Sequence, residues 1–325
     1  MPYTIEEHLK KINDEINNLE LSGEPEELYM PVNYSIQNGG KRIRPLMALI
    51  ACDMFGGNVD RVLPSAIGLE IFHNFTLMHD DIMDQAPMRR GKPTVYKKWN
   101  TNIAILSGDV MFALAYQYML KTPEKKLKRI LEVFNDMVIQ VCEGQQYDMN
   151  FETINNVSEA EYLNMIRLKT AALPAASLKI GSIIADAPEN EIQNLYLFGE
   201  LFGLAFQLKD DWLDVFGDEQ EFGKKTGGDI AANKKTWLYI KAFEMADKNQ
   251  QKKLKEAFSN KIYHPEEKIN TVKNIYLQLG LNELALEQMK KYHERALDYL
   301  HKIKIPDESK SNLSYLIYML VERKS

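Results

Sequence analysis

The chain has only two cysteines in 325 residues, Cys52 and Cys142, and they lack C-x-x-C spacing. That excludes a disulfide framework and a thiolate zinc site, and leaves both as packing residues. Positive charge is not in excess: 46 acidic against 40 basic side chains give a net charge of −6. The basic face that nucleic acid requires is therefore missing. No run approaches the roughly 18 apolar residues of a membrane span. Met1 to Glu20 lacks the basic start, apolar stretch and small-residue cleavage site of a signal peptide. The expected partners thus include neither nucleic acid nor a membrane, and the expected compartment is the cytoplasm. Strand grammar is scarce as well: no segment alternates apolar and polar residues for long, and β-branched residues are not clustered.

Helical periodicity is what the chain does have. Thr4-Ile5-Glu6-Glu7 reads as a capping box ahead of Ile5, Leu9, Ile12, Ile16 and Leu19. Gly39-Gly40 stops one segment, Pro45 stands in the first turn of the next, and Gly56-Gly57 ends it. A second capping box, Ser158 to Glu161, predicts a helix running past Leu178. Loops are expected at 22–26, 85–93, 186–190, 217–233 and 259–266, where Gly, Pro and charge break the pattern. With 45% hydrophobic residues and no low-complexity linker, the expectation is an all-α chain of roughly a dozen helices, folded as a single domain over residues 1–325.

Two copies of one pattern stand out, Asp80-Asp81-Ile82-Met83-Asp84 and Asp210-Asp211-Trp212-Leu213-Asp214. Like charges four apart destabilise a helix by roughly 0.2–0.5 kcal/mol, and Asp is a mediocre helix former, so folding alone does not explain them. At about 100° per residue Asp80 and Asp84 share a face while Asp81 points aside. Carboxylates without supporting His or Cys suit a hard ion such as Mg²⁺, whose coordination is completed by water and phosphate oxygens. Basic residues gather nearby in sequence: Lys41, Arg42 and Arg44 after Gly39-Gly40, Arg89-Arg90 after the first acidic motif, Lys169, Lys224-Lys225 after the second, and Lys234-Lys235. Acids for metals and cations for oxyanions together predict a polyphosphate substrate.

In order along the chain, Gly39-Gly40-Lys41-Arg42-Ile43-Arg44-Pro45, His79 to Asp84, Arg89-Arg90-Gly91-Lys92-Pro93-Thr94, Lys169-Thr170, Gln207 to Asp214 and Gly223-Lys224 to Gly228-Asp229 resemble the motifs of the trans-isoprenyl diphosphate synthases, or polyprenyl synthetases. The resemblance implies a single large helical bundle of the isoprenoid synthase type around a central cavity. It also implies a homodimer and a head-to-tail condensation of isopentenyl diphosphate with an allylic diphosphate. By the same resemblance Asp80, Asp84 and Asp210 bind metal, three Mg²⁺ per site, with Asp81, Asp211 and Asp214 in support. Arg89, Lys169, Lys224 and Lys234 hold the allylic diphosphate, and Lys41, Arg44, His73 and Arg90 hold isopentenyl diphosphate. Six Asp, three metals and two diphosphates leave a deficit of roughly −6, which these basic residues answer. Thr170 and Gln207 offer oxygen dipoles to a developing carbocation. Pro174, lacking an N–H, cannot bond the carbonyl of Thr170 and predicts a kink there. Trp237 departs from the family's usual Leu-Pro continuation, which leaves Lys234 and Lys235 competing for one alignment. Phe75, five residues before Asp80, with Thr76 beside it and Phe72 below, predicts a floor about 7.5 Å from the metal end and a C15–C20 product, leaning to C20.

Each landmark alone has an ordinary reading: an Asp-rich turn as a solvated face, Gly-Gly as a helix stop, an Arg pair as surface, His73 as a core histidine, Phe75 as core. Rival enzymes fit less well. A helical metal phosphohydrolase needs a tight His cluster, and most of the six His lie outside the first motif. A terpene cyclase carries a second motif mixing Asn, Ser or Thr with Glu, and a non-catalytic partner subunit would have lost one aspartate motif.

Overall fold

The computed structural model describes residues 3–322 apart from 20, 155, 219–225 and 260–263, and backbone alone at 320–322. Two compact units emerge, one of Met1–Asn135, Ala176–Leu195 and Lys304–Asn312, the other of Asp136–Ala175, Tyr196–Ile303 and Leu313–Ser325.

The first unit opens with α1 (Ile5–Asn17), α2 (Glu26–Gln37), α3 (Ile43–Met54) and α4 (Val59–Met83). The first capping box forms: the Glu7 N–H donates to the Thr4 hydroxyl at 3.2 Å and the Thr4 N–H to the Glu7 carboxylate at 2.7 Å. α3 is buried continuously from Pro45 to Cys52, and α4 from Ser65 to Phe72, so both are core helices rather than surface ones. A two-residue hairpin follows, β1 (Met88–Arg89) pairing antiparallel with β2 (Lys92–Pro93), then α5 (Val95–Lys98) and α6 (Thr101–Met119). α6 packs along α4. At Gly68 an added Cβ would lie 3.0 Å from the Ala115 carbonyl oxygen, so only hydrogen lets the two backbones come this close. The buried middle of α4 fixes where its acidic end stands.

The second unit takes residues 136–153 of α7 (Glu124–Thr153), all of α8 (Glu159–Ile166), the start of α9 (Ala172–Ile184) and residues 196–216 of α10 (Glu189–Phe216). It continues through α11 (Gly228–Ala231), α12 (Trp237–Met245), α13 (Lys248–Ser259), α14 (Pro265–Gln278) and α15 (Leu281–Lys302). A last helix, α16 (Asp307–Glu322), closes the chain. The Ser158 capping box forms as expected. One departure from the expected regular helix is physical: Arg167–Ala171 winds as a π-helical turn between α8 and α9. Pro174 removes the donor that a regular helix would send to the Thr170 carbonyl, and a widened turn is one way a helix absorbs that loss. Trp237, the other departure, is buried, and its indole N–H donates to Glu159 Oε1 at 2.8 Å. Among the described residues the only strands are the two of the hairpin, and no helix is long and apolar enough to cross a membrane.

Candidate active site

The first acidic motif occupies the last turn of α4, where the unpaired helix carbonyls carry partial negative charge. A carboxylate there is disfavoured by roughly 0.3–1 kcal/mol. Asp80 is half-buried, Asp84 is the exposed C-cap, and Asp81 turns into the protein at 5% exposure. Asp81 points aside from the other two, as helix geometry requires. Arg89 on the hairpin answers it: Nε lies 2.8 Å from Asp81 Oδ1, and a terminal nitrogen lies 3.5 Å from Asp80. Burial nonetheless pushes the Asp81 carboxyl up to about 6 against the pull of that guanidinium. The Asn38 amide donates to the Arg89 carbonyl at 3.2 Å and the Tyr34 hydroxyl to the Pro93 carbonyl at 2.8 Å, tying the hairpin to α2.

Between α2 and α3 the chain turns through Gly39 (φ +78°) and Gly40 (φ +138°), backbone that L side chains resist. A Cβ on Gly40 would come within 3.0 Å of the Arg90 guanidinium, which donates to the Gly39 carbonyl. Arg42 is buried in this turn and pairs with Glu70 of α4 at 2.6 Å while donating to the Ile36 carbonyl at 2.8 Å. Arg42 is thus a fastening, whereas Lys41 is exposed and Arg44 half-exposed. Sequence reading gave the Arg42–Glu70 pair no role. A lone acid within the apolar run Ala66 to Phe72 was its only signal. His73 sits on α4 among Arg44, Arg90, Arg89 and Arg42, and burial together with that positive field holds its imidazole well below the usual range. It is neutral at pH 7 and can donate or accept.

Phe75 heads a cluster of rings, with centroids 4.8 Å from His79, 5.3 Å from Phe112 and 5.6 Å from Phe72, while Phe72 stands 5.5 Å from Phe134. Thr76 spends its hydroxyl on the His73 carbonyl at 2.8 Å. Gly108 on α6 makes room for His79, since a Cβ there would fall 2.2 Å from Nε2.

In the second unit the acidic motif ends α10. Asp211, 3% exposed, accepts from the Tyr162 hydroxyl at 2.5 Å and from the Gln207 amide at 3.0 Å, and the Thr170 hydroxyl donates to Gln207 Oε1 at 2.9 Å. The structure therefore joins Thr170, Gln207 and Asp211 in one chain of hydrogen bonds. Burial raises Asp211 to about 7 even though both donors pull it down. Asp214, half-buried like Asp210, accepts the backbone N–H groups of Gly228 (3.2 Å) and Asp229 (3.0 Å) and so caps α11. Asp229 is pushed up to about 8 by burial and by Asp214 and Asp211, with Lys234 acting in the other direction.

Lys169 lies on the π turn and pairs with Asp148 of α7 at 2.5 Å. Two glycines grip that turn: a Cβ on Gly144 would meet the Lys169 nitrogen at 2.3 Å, and one on Gly203 would meet the Ala171 Cα at 2.4 Å. Lys235 sends its ammonium to the carbonyls of Phe151 (2.7 Å), Glu152 (3.3 Å) and Ile154 at the end of α7. That use separates it from Lys234, which acts on Asp229. Lys224, also expected here, lies outside the described residues. Asp148 and Asp229 had no role assigned from sequence. Asp229 was visible in Gly228-Asp229, while Asp148 stood one turn beyond Gly144 without a partner in view.

A helical chain with two aspartate-rich helix ends, Arg89 set against the first and Lys234 acting on Asp229 beside the second, defines a prenyltransferase of the diphosphate-synthase class. A family model described as polyprenyl synthetase matches residues 25–276, and the chain belongs to that family. Along 98% of its length it is 37% identical to a geranylgeranyl diphosphate synthase of Sulfolobus acidocaldarius, covering 97% of that protein. It is 36% identical to a geranylfarnesyl diphosphate synthase of Aeropyrum pernix over 92% of this chain and 95% of that one. A crystal structure of a geranylgeranyl pyrophosphate synthase superposes with a TM-score of 0.94 at 42% identity, covering 99% of this chain and 100% of the other.

Proposed function

We propose that the protein condenses isopentenyl diphosphate with an allylic diphosphate (dimethylallyl, geranyl or farnesyl) to give geranylgeranyl diphosphate, releasing diphosphate. The observation that carries this reading is the repeated crowding of carboxylates at helix carboxyl ends, where neither burial nor the helix dipole favours them. Hard, all-oxygen donors of this kind fit Mg²⁺. Among the described residues no three ligand-type side chains already form a cage, and Mg²⁺ needs only one or two carboxylates beside phosphate oxygens. We assign Asp80, Asp84 and Asp210 to three such ions, with Asp81, Asp211 and Asp214 in support. When bound, the metal would supply charge to the departing diphosphate.

The protein's own groups then divide the work. Arg89, Lys169, Lys224 and Lys234 hold the allylic diphosphate, so negative charge growing on the leaving oxygen meets cations already in place. Lys41, Arg44 and Arg90, with neutral His73 as a hydrogen-bond partner, hold isopentenyl diphosphate. Thr170 and Gln207 turn oxygen dipoles toward the carbocation, and water is excluded from it. Phe75, backed by Phe72 and Phe112, stops elongation at C20. One synthase domain over residues 1–325, acting as a homodimer in the cytoplasm, completes the reading. Alignment with the relatives along nearly their whole length supports the single domain.

The test is direct: purified protein receives isopentenyl diphosphate, Mg²⁺ and a C5, C10 or C15 allylic partner, and the products are sized after dephosphorylation. A C20 alcohol is expected from all three. No condensation overturns the activity, and a C15 or C25 end point overturns the assigned length. Phe75→Ala should lengthen the product by one or more C5 additions, and an unchanged distribution would remove Phe75 from the floor.

A further inference from the structure

Lys268 is an unusual lysine. It lies on α14, a helix that carries none of the metal or diphosphate residues assigned above, and it is 95% buried by surface area (5% exposed). Its ammonium stands 2.5 Å from Asn233 Oδ1, 3.2 Å from the Ala231 carbonyl oxygen and 5.0 Å from the Phe258 ring centroid. Burial lowers its pKa to about 8. A lysine is rarely kept inside at that cost for packing alone, because an uncharged side chain of like length fills the same space.

Both of its hydrogen bonds fall on one short stretch. Asn233 is held at φ +60°, a conformation L residues adopt with reluctance, with its N–H on the Ile230 carbonyl. The next N–H, that of Lys234, bonds the Asp229 carbonyl at 2.9 Å. Residues 229–234 therefore form a closed turn between Asp229 and Lys234, and Lys268 binds it at two points, one main chain and one side chain. Ala231 and Asn233 are themselves exposed, so water would satisfy them if the ammonium were removed. What would be lost is the setting of the turn rather than a buried bond.

We propose that Lys268 is a positioning residue for the allylic diphosphate site: by clamping Ala231 and Asn233 from α14 it fixes the turn that aims Lys234. The inference rests on the assignment of Lys234 to the allylic diphosphate. It makes a prediction that a purely structural lysine would not. Replacing Lys268 with methionine removes a buried charge and should leave thermal stability equal or higher, yet it should impair one substrate selectively.

The experiment uses the full-length enzyme with farnesyl or geranyl diphosphate, isopentenyl diphosphate and Mg²⁺. Lys268→Met is expected to raise KM for the allylic substrate about tenfold while KM for isopentenyl diphosphate changes less than twofold, with no fall in melting temperature. Asn233→Gly keeps the left-handed backbone and removes the acceptor. It should reproduce the effect in part, and adding it to Lys268→Met should contribute little more, because both act through one contact. Lys234→Ala is measured alongside. If Lys234→Ala raises the allylic KM and Lys268→Met does not, the clamp is wrong and the site assignment stands. If neither raises it, the assignment of Lys234 fails and the clamp with it. Equal losses in both substrates, or a lowered melting temperature accounting for the loss, also overturn the proposal.

Discussion

At the end of α4 the innermost carboxylate, Asp81, is met by a guanidinium, whereas at the end of α10 its counterpart Asp211 is met by two neutral donors, a phenol and an amide. The third aspartates differ too: Asp84 is an exposed helix cap, while Asp214 binds the two backbone N–H groups that open α11. Burial is the largest cause at both, lifting Asp211 to about 7 and Asp81 to about 6, with a guanidinium opposing it at Asp81 and two neutral donors opposing it at Asp211. Two pentads of nearly the same sequence can therefore differ in how much outside charge they require. The neighbours that set this difference lie 8 residues on (Arg89) in one case and 49 residues back (Tyr162) in the other.

The largest test of that contrast removes one carboxylate from each side. Asp80→Asn and Asp210→Asn should each lower turnover by about a thousandfold or more, as expected when a group that holds the reacting charge is lost. The Mg²⁺ concentration for half-maximal rate should rise more in Asp210→Asn, because its buried neighbour Asp211 is met by neutral donors where Asp81 is met by Arg89. A greater rise in Asp80→Asn would break the comparison. A smaller effect comes from the partners. Arg89→Gln and Tyr162→Phe both remove an interaction that lowers a carboxyl pKa, so the acidic limb of kcat/KM should move to higher pH in each. The charged partner should move it further, with rate losses near pH 7 of about tenfold against about threefold. The least demanding test uses stability alone. Asp81, Asp211 and Asp229 have folded pKa values of about 6, 7 and 8, above the unfolded value. The folded state therefore binds more protons across that window, and the metal-free protein should lose stability as pH rises from about 4 to 8. Mg²⁺ with diphosphate should raise the melting temperature by about 5 °C or more at pH 8 and by less at pH 6. A metal-free protein that gains stability over the same range would show the carboxylates to be better compensated than their burial implies.

Legibility in the sequence followed distance along the chain. Capping boxes at Thr4 and Ser158, the Gly39-Gly40 stop and the relation of Asp80 to Asp81 are local, set by a few neighbouring residues and by helix geometry, and each formed as expected. Pro174 was read correctly as a disturbance but not in its form, because whether a missing donor yields a kink or a π turn depends on what packs against the helix. Here that is Gly144 and Gly203, from two other helices. The choice between Lys234 and Lys235 was likewise undecidable from spacing. It turns on the carbonyls at the end of α7, some eighty residues earlier. Arg42 looked like one more cation in a basic motif, and only its pairing with Glu70 removes it from the substrate's reach.

The π turn at Arg167–Ala171 has a further bearing on how this enzyme can be altered. A π turn amounts to one residue added to an α-helix, and each residue advances the phase by about 100°. Deleting a single residue there would restore an ordinary helix and swing Tyr162, on the stretch before it, about a quarter-turn relative to Ala171 and the residues after it. The bulge acts as a phase shifter within one continuous rod. Length changes in that rod would be felt as misdirection of side chains rather than as unfolding.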